Sequence, residues 1–164
     1  MGSPNTSRRK LTARAGQGAM SVEMHADFEA SMEQLPLAVC FVEGFCVQQA
    51  MLADDTMRLV LIVEELFTNT ATHGVAMHFG EQQVQIHITL ACDALQLTLN
   101  YADSAPRFDP LGHLQRARGE LDTELEGRVI GHMGLPLVLA MATSADYEHV
   151  DGLNRLALRL RRGG

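Results

Sequence analysis

Residues 59–74 read LVLIVEELFTNTATHG, and this segment organises the rest of the chain. Its apolar residues follow the i, i+3, i+4, i+7 spacing of a helix with one buried face. They are Leu59, Ile62, Val63 and Leu66. The helix is predicted to begin near Thr56, with Asp54 or Asp55 as its N-cap, and to run to about Gly74.

Three polar residues lie along one edge of this predicted helix. Glu65, Asn69 and His73 are spaced i, i+4, i+8, so at about 100° per residue they form a row beside the apolar stripe. A carboxylate at such a boundary can act as a general base, and a neighbouring amide oxygen can ligate a hard cation. A solvated polar edge at a capped helix end has the same spacing, so the row by itself leaves both interpretations open.

Hydrophobic patterns on both sides of the helix predict the fold class. The predicted elements are a strand at 22–28, a helix within 29–52 that starts near Leu35, a hairpin at 84–99, a buried helix at 134–142 and a last hairpin around 151–154. This order lacks the regular alternation of a doubly wound sheet. It predicts an α/β (α+β) two-layer sandwich, with a mixed, mostly antiparallel sheet and helices on one face.

Length and composition indicate one globular domain. The chain has 164 residues, of which 46% are apolar and 20% charged. Residues 1–20 are rich in Ser, Gly and Arg, and we interpret them as a disordered tail or a vector-derived remnant, with the domain at 21–164. Three cysteines are too few for a disulfide framework, which favours a cytoplasmic protein. No apolar run has the length of a membrane span.

The charged residues argue against a nucleic-acid partner, and the scarcity of lysine excludes two classes of nucleotide-binding protein. The net charge is −7, and residues 23–164 carry nine basic against twenty acidic residues. Such an acidic body favours a protein partner over a nucleic acid, which binds basic surfaces. Lys10 is the only lysine, which excludes an ordinary P-loop and a protein kinase of the eukaryotic type.

Two further segments have residues suited to binding a nucleotide. Residues 101–110 read YADSAPRFDP and follow a predicted strand, where Asp103 can accept a hydrogen bond from an exocyclic amine. An ordinary Asp-Ser turn has the same sequence. Residues 131–135 read GHMGL and open a helix, where glycines let backbone N–H groups approach an anion.

In this order, the three segments resemble the N, G1 and G2 boxes of the GHKL ATP-binding fold of gyrases and histidine kinases. Residues 65–74 match the pattern Glu-x-x-x-Asn-x-x-x-His-Gly. More narrowly, the chain is similar over about residues 22–162 to anti-sigma factor serine/threonine-protein kinases of bacterial partner-switching systems. The segment 151–158, DGLNRLAL, resembles the final hairpin of that family.

The resemblance implies a role for each segment. Glu65 would be the general base, Asn69 the Mg²⁺ ligand and Asp103 the residue that binds the adenine amino group. Residues 111–130, within a loop region of about 104–130, would be the ATP lid. The other positions implied in ATP binding are His73, Ala105, Arg107, Gly131, His132, Gly134 and Leu135.

Three residues depart from the family pattern. Ala105 replaces a glycine, and its Cβ is expected to crowd the base or to strain a turn that needs a positive φ. Arg107 stands where a small residue or proline is usual and is a candidate for reaching a phosphate. His132 replaces the second glycine of the G2 segment, as a phosphate contact or a spacer.

The resemblance implies an ATP-dependent serine kinase that phosphorylates an anti-sigma factor antagonist and restrains a sigma factor, with homodimerisation as a further expectation. The altered glycines favour an alternative, a partner-binding switch on the same fold that binds nucleotide weakly or not at all. A detached histidine-kinase catalytic domain is a third interpretation. The histidine spacing does not favour a zinc site, and Cys40, Cys46 and Cys92 are expected to be buried.

Overall fold

Strands and helices occupy most of the part of the chain that the structure describes. This computed structural model describes residues 10–14, 21–78, 83–112 and 134–163. The elements are β1 (Lys10–Arg14), β2 (Ser21–Glu29), α1 (Leu35–Gln48), α2 (Ala53–Asn69), a π-helical turn (Thr70–Gly74), β3 (Gln85–Cys92), β4 (Gln96–Asp103), α3 (Gly134–Met141), β5 (Ser144–Val150) and β6 (Leu153–Arg161).

The strands form one sheet in the order β1-β2-β3-β4-β6-β5. Every pair of neighbouring strands is antiparallel. The apolar faces of α1 and α2 pack on one face of this sheet, so the predicted two-layer α/β sandwich is confirmed. None of the described helices is long and apolar enough to cross a membrane.

The core lies between the sheet and the helix layer. Alternate residues of the strands are buried, because successive side chains of a strand point to opposite faces. Phe28 of β2 makes edge contacts with Phe41 of α1 and Phe67 of α2, with ring centroids 6.2 and 6.1 Å apart. The predicted stripe of α2 is confirmed, because Leu59, Ile62, Val63 and Leu66 are all buried.

Both predicted hairpins are confirmed, and each turn has a local cause. Asp93 accepts hydrogen bonds from the backbone N–H groups of Leu95 and Gln96, which closes the turn between β3 and β4. Asp151 and Gly152 have φ values of 53° and 75°. Two successive positive φ values define the type I′ turn that suits a two-residue hairpin, so glycine is favoured at the second position.

Strand β1 corrects the expectation of disorder at the N-terminus for five residues. Lys10–Arg14 pair with β2, with Lys10 opposite His25 and Arg14 opposite Ser21. An edge strand offers unpaired backbone N–H and C=O groups, which can bind a neighbouring segment whatever its hydrophobicity. The rest of the predicted tail, residues 1–9 and 15–20, lies outside the described residues.

The start of α2 also differs from the prediction. The helix begins at Ala53 after Leu52, and no side chain caps its N-terminus, so neither Asp54 nor Asp55 is the N-cap. Both aspartates lie in the first turn, and Asp55 is buried. Its carboxylate accepts hydrogen bonds from Arg58 and from the Gly163 N–H, and therefore binds the end of the chain.

Two regions expected to be buried are more exposed than their composition suggests. Within α3, Val138 is the buried side chain, and 56% of Leu137 is exposed. Cys40 of α1 is exposed, whereas Cys46 and Cys92 are buried, and burial raises the pKa of both buried thiols. Apolar character therefore did not predict burial at Leu137 or at Cys40.

Candidate functional site

A cavity opens between the end of α2, the start of α3 and the β4-β6 region of the sheet. Its volume is about 330 Å³, within the range typical of small-molecule sites. Most of its wall is apolar, and a few polar groups converge on it. The polar and small residues that line it are Glu65, Asn69, Thr70, His73, Gly74, Tyr101, Asp103, Ala105, Tyr147 and Asn154.

The row of Glu65, Asn69 and His73 lines one wall of this cavity. Asn69 donates a hydrogen bond from Nδ2 to Oε1 of Glu65 at 2.8 Å. This bond fixes the orientation of the amide and leaves its Oδ1 available as a ligand. The wall thus has a carboxylate and an adjacent amide oxygen, which is the donor chemistry that a general base and a hard cation require.

The helix does not continue to Gly74 in regular α form. Thr70–Gly74 form a π-helical turn directly after Asn69, and such turns are frequent at functional sites. A Cβ on Gly74 would lie 2.9 Å from the Cβ of Ala105. Glycine at position 74 therefore lets the helix approach the segment that follows β4.

Asp103, the last residue of β4, lies at the base of the cavity with its carboxylate in a network of donors. The backbone N–H of Ala105 and Nδ2 of Asn154 donate to Oδ1, at 3.0 and 2.9 Å. The Thr70 hydroxyl lies 3.4 Å from Oδ2. Burial raises the pKa of Asp103 above its usual value, although the hydrogen bonds from Asn154, Ala105 and Thr70 act in the opposite direction.

Asn154 is the residue that holds this network together, and sequence analysis gave it no role. Its Nδ2 also approaches the carbonyl oxygens of Ala105 and Pro106, at 3.1 and 3.2 Å. Its Oδ1 accepts from the Phe108 N–H at 3.0 Å and the Tyr147 hydroxyl at 2.9 Å. The signal that could have identified Asn154 is its place in the DGLN hairpin segment, which pairs it with Asp103 across β4 and β6.

Tyr101 and Thr70 join the sheet to the helix below the cavity, and sequence analysis also missed both residues. The Tyr101 hydroxyl lies 2.9 Å from Oγ1 of Thr70 and 3.2 Å from the carbonyl oxygen of Leu66. Burial raises the pKa of Tyr101 well above its usual value, so this hydroxyl remains a neutral donor. The available signal was that Tyr101 lies two residues before Asp103 on β4, which places both side chains on the same face of the strand.

The N-terminus of α3 borders the cavity at the Glu65 side. A Cβ on Gly134 would overlap the Glu65 carboxylate, the end of a flexible side chain, which would then have to move. Leu135, one of the positions that the resemblance implies in ATP binding, lines the cavity. Gly131 and His132, and most of the predicted lid at 111–130, lie outside the described residues.

The two departures from the family pattern that the structure describes have different outcomes. Ala105 is buried in the cavity wall, and its φ is not positive, so the expected strain is absent. Arg107 is exposed and is not among the residues that line the cavity. It lies beside the hydroxyl of Tyr147, whose pKa burial raises and Arg107 partly lowers.

The residues present fit a nucleotide with a hard cation. A buried carboxylate at the base suits an amino group of a planar base, and the apolar walls suit its faces. The amide oxygen of Asn69 is a ligand of the type that Mg²⁺ accepts, and Glu65 lies beside it.

Comparison with known proteins agrees with this geometry. The chain matches the model of the histidine kinase-like ATPase domain over residues 28–160, which is most of its length. The matched range contains α1, α2, the π-helical turn, α3 and every cavity residue named above. No curated protein matches the chain.

Proposed function

The chain belongs to the histidine kinase-like ATPase domain family, and from this premise we propose that it is an ATP-dependent serine protein kinase of a bacterial partner-switching system. Its substrate is a serine of a small anti-sigma factor antagonist, and its second partner is a sigma factor. The family gives the coarser statement, an ATP-binding, kinase-like domain. The observation that carries the proposal is the Glu65–Asn69 pair on the wall of a cavity whose base is Asp103.

The adenine end of the site is supported by Asp103. Its Oδ1 already accepts two hydrogen bonds, whereas Oδ2 has one long contact to Thr70. Oδ2 is therefore the oxygen suited to accept from an exocyclic amine. Asn154 donates to this carboxylate and accepts from the Tyr147 hydroxyl, so both residues help to hold Asp103 in place. This is the preorganisation that a specific polar contact needs.

Glu65 is suited to the proton transfer. In the proposed reaction the serine oxygen attacks the γ-phosphorus, its proton passes to the Glu65 carboxylate, and ADP leaves. The hydrogen bond from Asn69 to Oε1 leaves Oε2 for this role. Mg²⁺ held by the Asn69 amide oxygen would supply neutralisation of phosphate charge, in a chain that has no lysine in this region.

The acidic body of the protein supports a protein partner. Residues 23–164 carry a net charge of −11, which opposes binding to nucleic acid. Cytoplasmic location and homodimerisation are further parts of the proposal, and both rest on the resemblance. Phosphate transfer to a serine, compared with transfer to a histidine, separates this proposal from a histidine-kinase catalytic domain.

The decisive experiment is calorimetry of Mg·ATP binding to the wild type, Asn69→Ala and Glu65→Ala. We expect binding by the wild type, loss in Asn69→Ala, and binding without phosphate transfer in Glu65→Ala. Thr72→Ala is the matched control, because Thr72 is an exposed residue near the same helix end whose hydroxyl donates to the Thr68 carbonyl. Asn69→Ala should unfold like the wild type, since its hydrogen bond is partly exposed.

Absence of wild-type binding at millimolar ATP would overturn the kinase proposal. The protein would then be a partner-binding switch on the same fold, the alternative that Ala105 and His132 favour from the sequence. Binding with transfer that survives Glu65→Ala would instead show that another group accepts the proton.

A further inference from the structure

A second group of chemistry-bearing side chains lies on the face of the sheet opposite the helices. His25 and Asp27 belong to β2, and His87 belongs to β3 directly opposite Asp27. Alternation places all three on one face, because His25 and Asp27 are two residues apart. The neighbouring residues Ala26, Ile86 and Ile88 are buried in the core, so this group is separated from the nucleotide cavity by the sheet.

We propose that His25, Asp27 and His87 form a binding site for a divalent first-row transition metal ion, with Zn²⁺ as the favoured ion. The ligand atoms of the three residues all lie within 4.8 Å of one another. Two imidazoles and one carboxylate are a common donor set for such ions, and water completes the coordination. The side chains are 34%, 43% and 36% exposed, so an ion can enter from solvent.

Two of the three separations between ligand atoms need only a small change, and the third, between the two imidazole nitrogens, is within 4.8 Å. Nε2 of His25 and Nδ1 of His87 lie 2.8 and 2.6 Å from the same oxygen, Oδ1 of Asp27. Ligands of a tetrahedral zinc ion at about 2.0 Å are separated by about 3.3 Å. Both pairs therefore need to open by less than 1 Å, which side-chain rotation on two paired strands can supply.

Thr89 contacts the His25 ring on the side away from Asp27. Its Oγ1 lies 3.1 Å from Nδ1 of His25, the ring nitrogen that does not face Asp27. A hydroxyl can donate to this nitrogen or accept from it, so the same contact holds either tautomer. When Nε2 binds a metal, the proton resides on Nδ1 and Thr89 accepts it, which is the usual way in which a ligating histidine is oriented.

The two rings are also prearranged relative to one another. The His25 and His87 rings are nearly parallel, with an interplanar angle of 10° and centroids 6.4 Å apart. Their nitrogens converge on Asp27 without a change of backbone, because both strands are fixed by the ladder between β2 and β3. The sequence spacing does not reveal this site, since its members are brought together by strand pairing.

The test is calorimetric titration of the untagged 164-residue chain with Zn²⁺. We expect one ion per chain in the wild type and a loss of affinity of at least about 100-fold in His87→Ala and in Asp27→Asn. Asp27→Asn keeps a hydrogen-bond acceptor for the histidines, so it separates lost coordination from lost folding. Thr89→Val should weaken binding by about 10-fold.

Two controls make the outcome specific. His78→Ala removes a histidine outside the group and should leave zinc affinity unchanged. Asn69→Ala should also keep it, so zinc binding succeeds or fails independently of the proposed nucleotide site. Co²⁺ loaded into the protein should give ligand-field absorption without thiolate charge transfer, since the group has no cysteine.

Equal zinc affinity in the wild type and in a folded His25→Ala/His87→Ala double variant would overturn the proposal. Thiolate charge transfer in the Co²⁺ spectrum would overturn it as well, because one of the three cysteines would then be the ligand. In either case the three residues would be a hydrogen-bonded group on the sheet surface.

Discussion

The surroundings of Asp103 are those of a residue that serves ligand binding and does not stabilise the fold. Its carboxylate is buried, and burial raises its pKa, so the charged form is disfavoured in the folded protein. The hydrogen bonds from Ala105 and Asn154 offset only part of this cost. A buried carboxylate that faces a cavity in this way is typical of a functional site.

We expect Asp103→Asn to weaken adenine nucleotide binding by about 10- to 100-fold, the value of one hydrogen bond to a charged group. Stability should not fall. The amide oxygen can accept from Ala105 and Asn154, and the new amide nitrogen can donate to Thr70, which also contacts the Leu66 carbonyl. Calorimetry and urea unfolding measure the two effects, with Asp146→Asn on the exposed side of β5 as control. A strongly destabilised Asp103→Asn would show that the carboxylate is structural.

The raised pKa of Asp103 predicts that the stability of the protein depends on pH. Because the pKa of Asp103 is raised from 3.8 in the folded state, the folded protein binds more protons than the unfolded chain between these two pKa values. This residue's contribution to the free energy of unfolding therefore falls as the pH rises through that interval. Stability of the wild type relative to Asp103→Asn should decrease from about pH 3 upward and then become constant. Urea unfolding at several pH values measures this difference, and a pH-independent difference would contradict the raised pKa.

At the scale of elements, the site depends on where helices end. α2 changes to a π-helical turn immediately after Asn69, and α3 begins at Gly134 against Glu65. The two helix ends and the end of β4 meet at one place, so short shifts of any of them change the cavity. Glycine at positions 74 and 134 allows these approaches.

Gly134→Ala is expected to displace the Glu65 carboxylate, which its Cβ would overlap. If Glu65 is the base, phosphate transfer should fall by about 10- to 100-fold, whereas ATP affinity should change much less. Glu65 is flexible, so the fold should persist. Gly44→Ala in α1 is the contrasting control, since a Cβ there meets nothing within 4 Å. It should raise the free energy of unfolding by about 0.5–1 kcal/mol. Transfer at the wild-type rate in Gly134→Ala would argue against Glu65 as the base.

At the scale of the whole molecule, the segment that follows β6 is hydrogen-bonded to the start of α2. Asp55 accepts from Arg58 at 2.7 Å and from the Gly163 N–H at 2.8 Å. Arg162 donates to the carbonyl oxygens of Gln49 and Asp93, at 2.6 and 3.1 Å. These bonds connect β6 with the α1-α2 connection and the β3-β4 turn, and so hold the helix layer on the sheet.

Asp55→Ala should therefore lower the free energy of unfolding by about 2–3 kcal/mol, because it leaves the Arg58 guanidinium and the Gly163 N–H without this acceptor. Asp54→Ala is the matched control. It removes a similar interaction with the helix dipole, but Asp54 is exposed. Chemical denaturation measures both, and equal losses in the two variants would show that the effect is the dipole. Nucleotide affinity of the folded Asp55→Ala variant should match the wild type.

The sequence by itself determined the features that depend on local periodicity. Five of the six described strands, the amphipathic helix with its row of Glu65, Asn69 and His73, and the hairpin turns follow from spacings of two to four residues. Strand β1 follows only from its pairing with β2. The ATP-binding family followed from motifs that lie within single segments. Arg107 shows what a motif leaves open, because its place in the segment did not reveal that its side chain lies beside the Tyr147 hydroxyl.

Only the tertiary structure decided which distant residues share a site. Asn154 reaches Asp103 through pairing of β6 with β4, and His87 reaches Asp27 through pairing of β3 with β2. Asp55 resembles a helix cap in sequence, but it binds a backbone N–H 108 residues away. The physical reason is that hydrogen bonding and burial depend on distance in space. Strand register and helix packing bring together residues between which no local pattern exists.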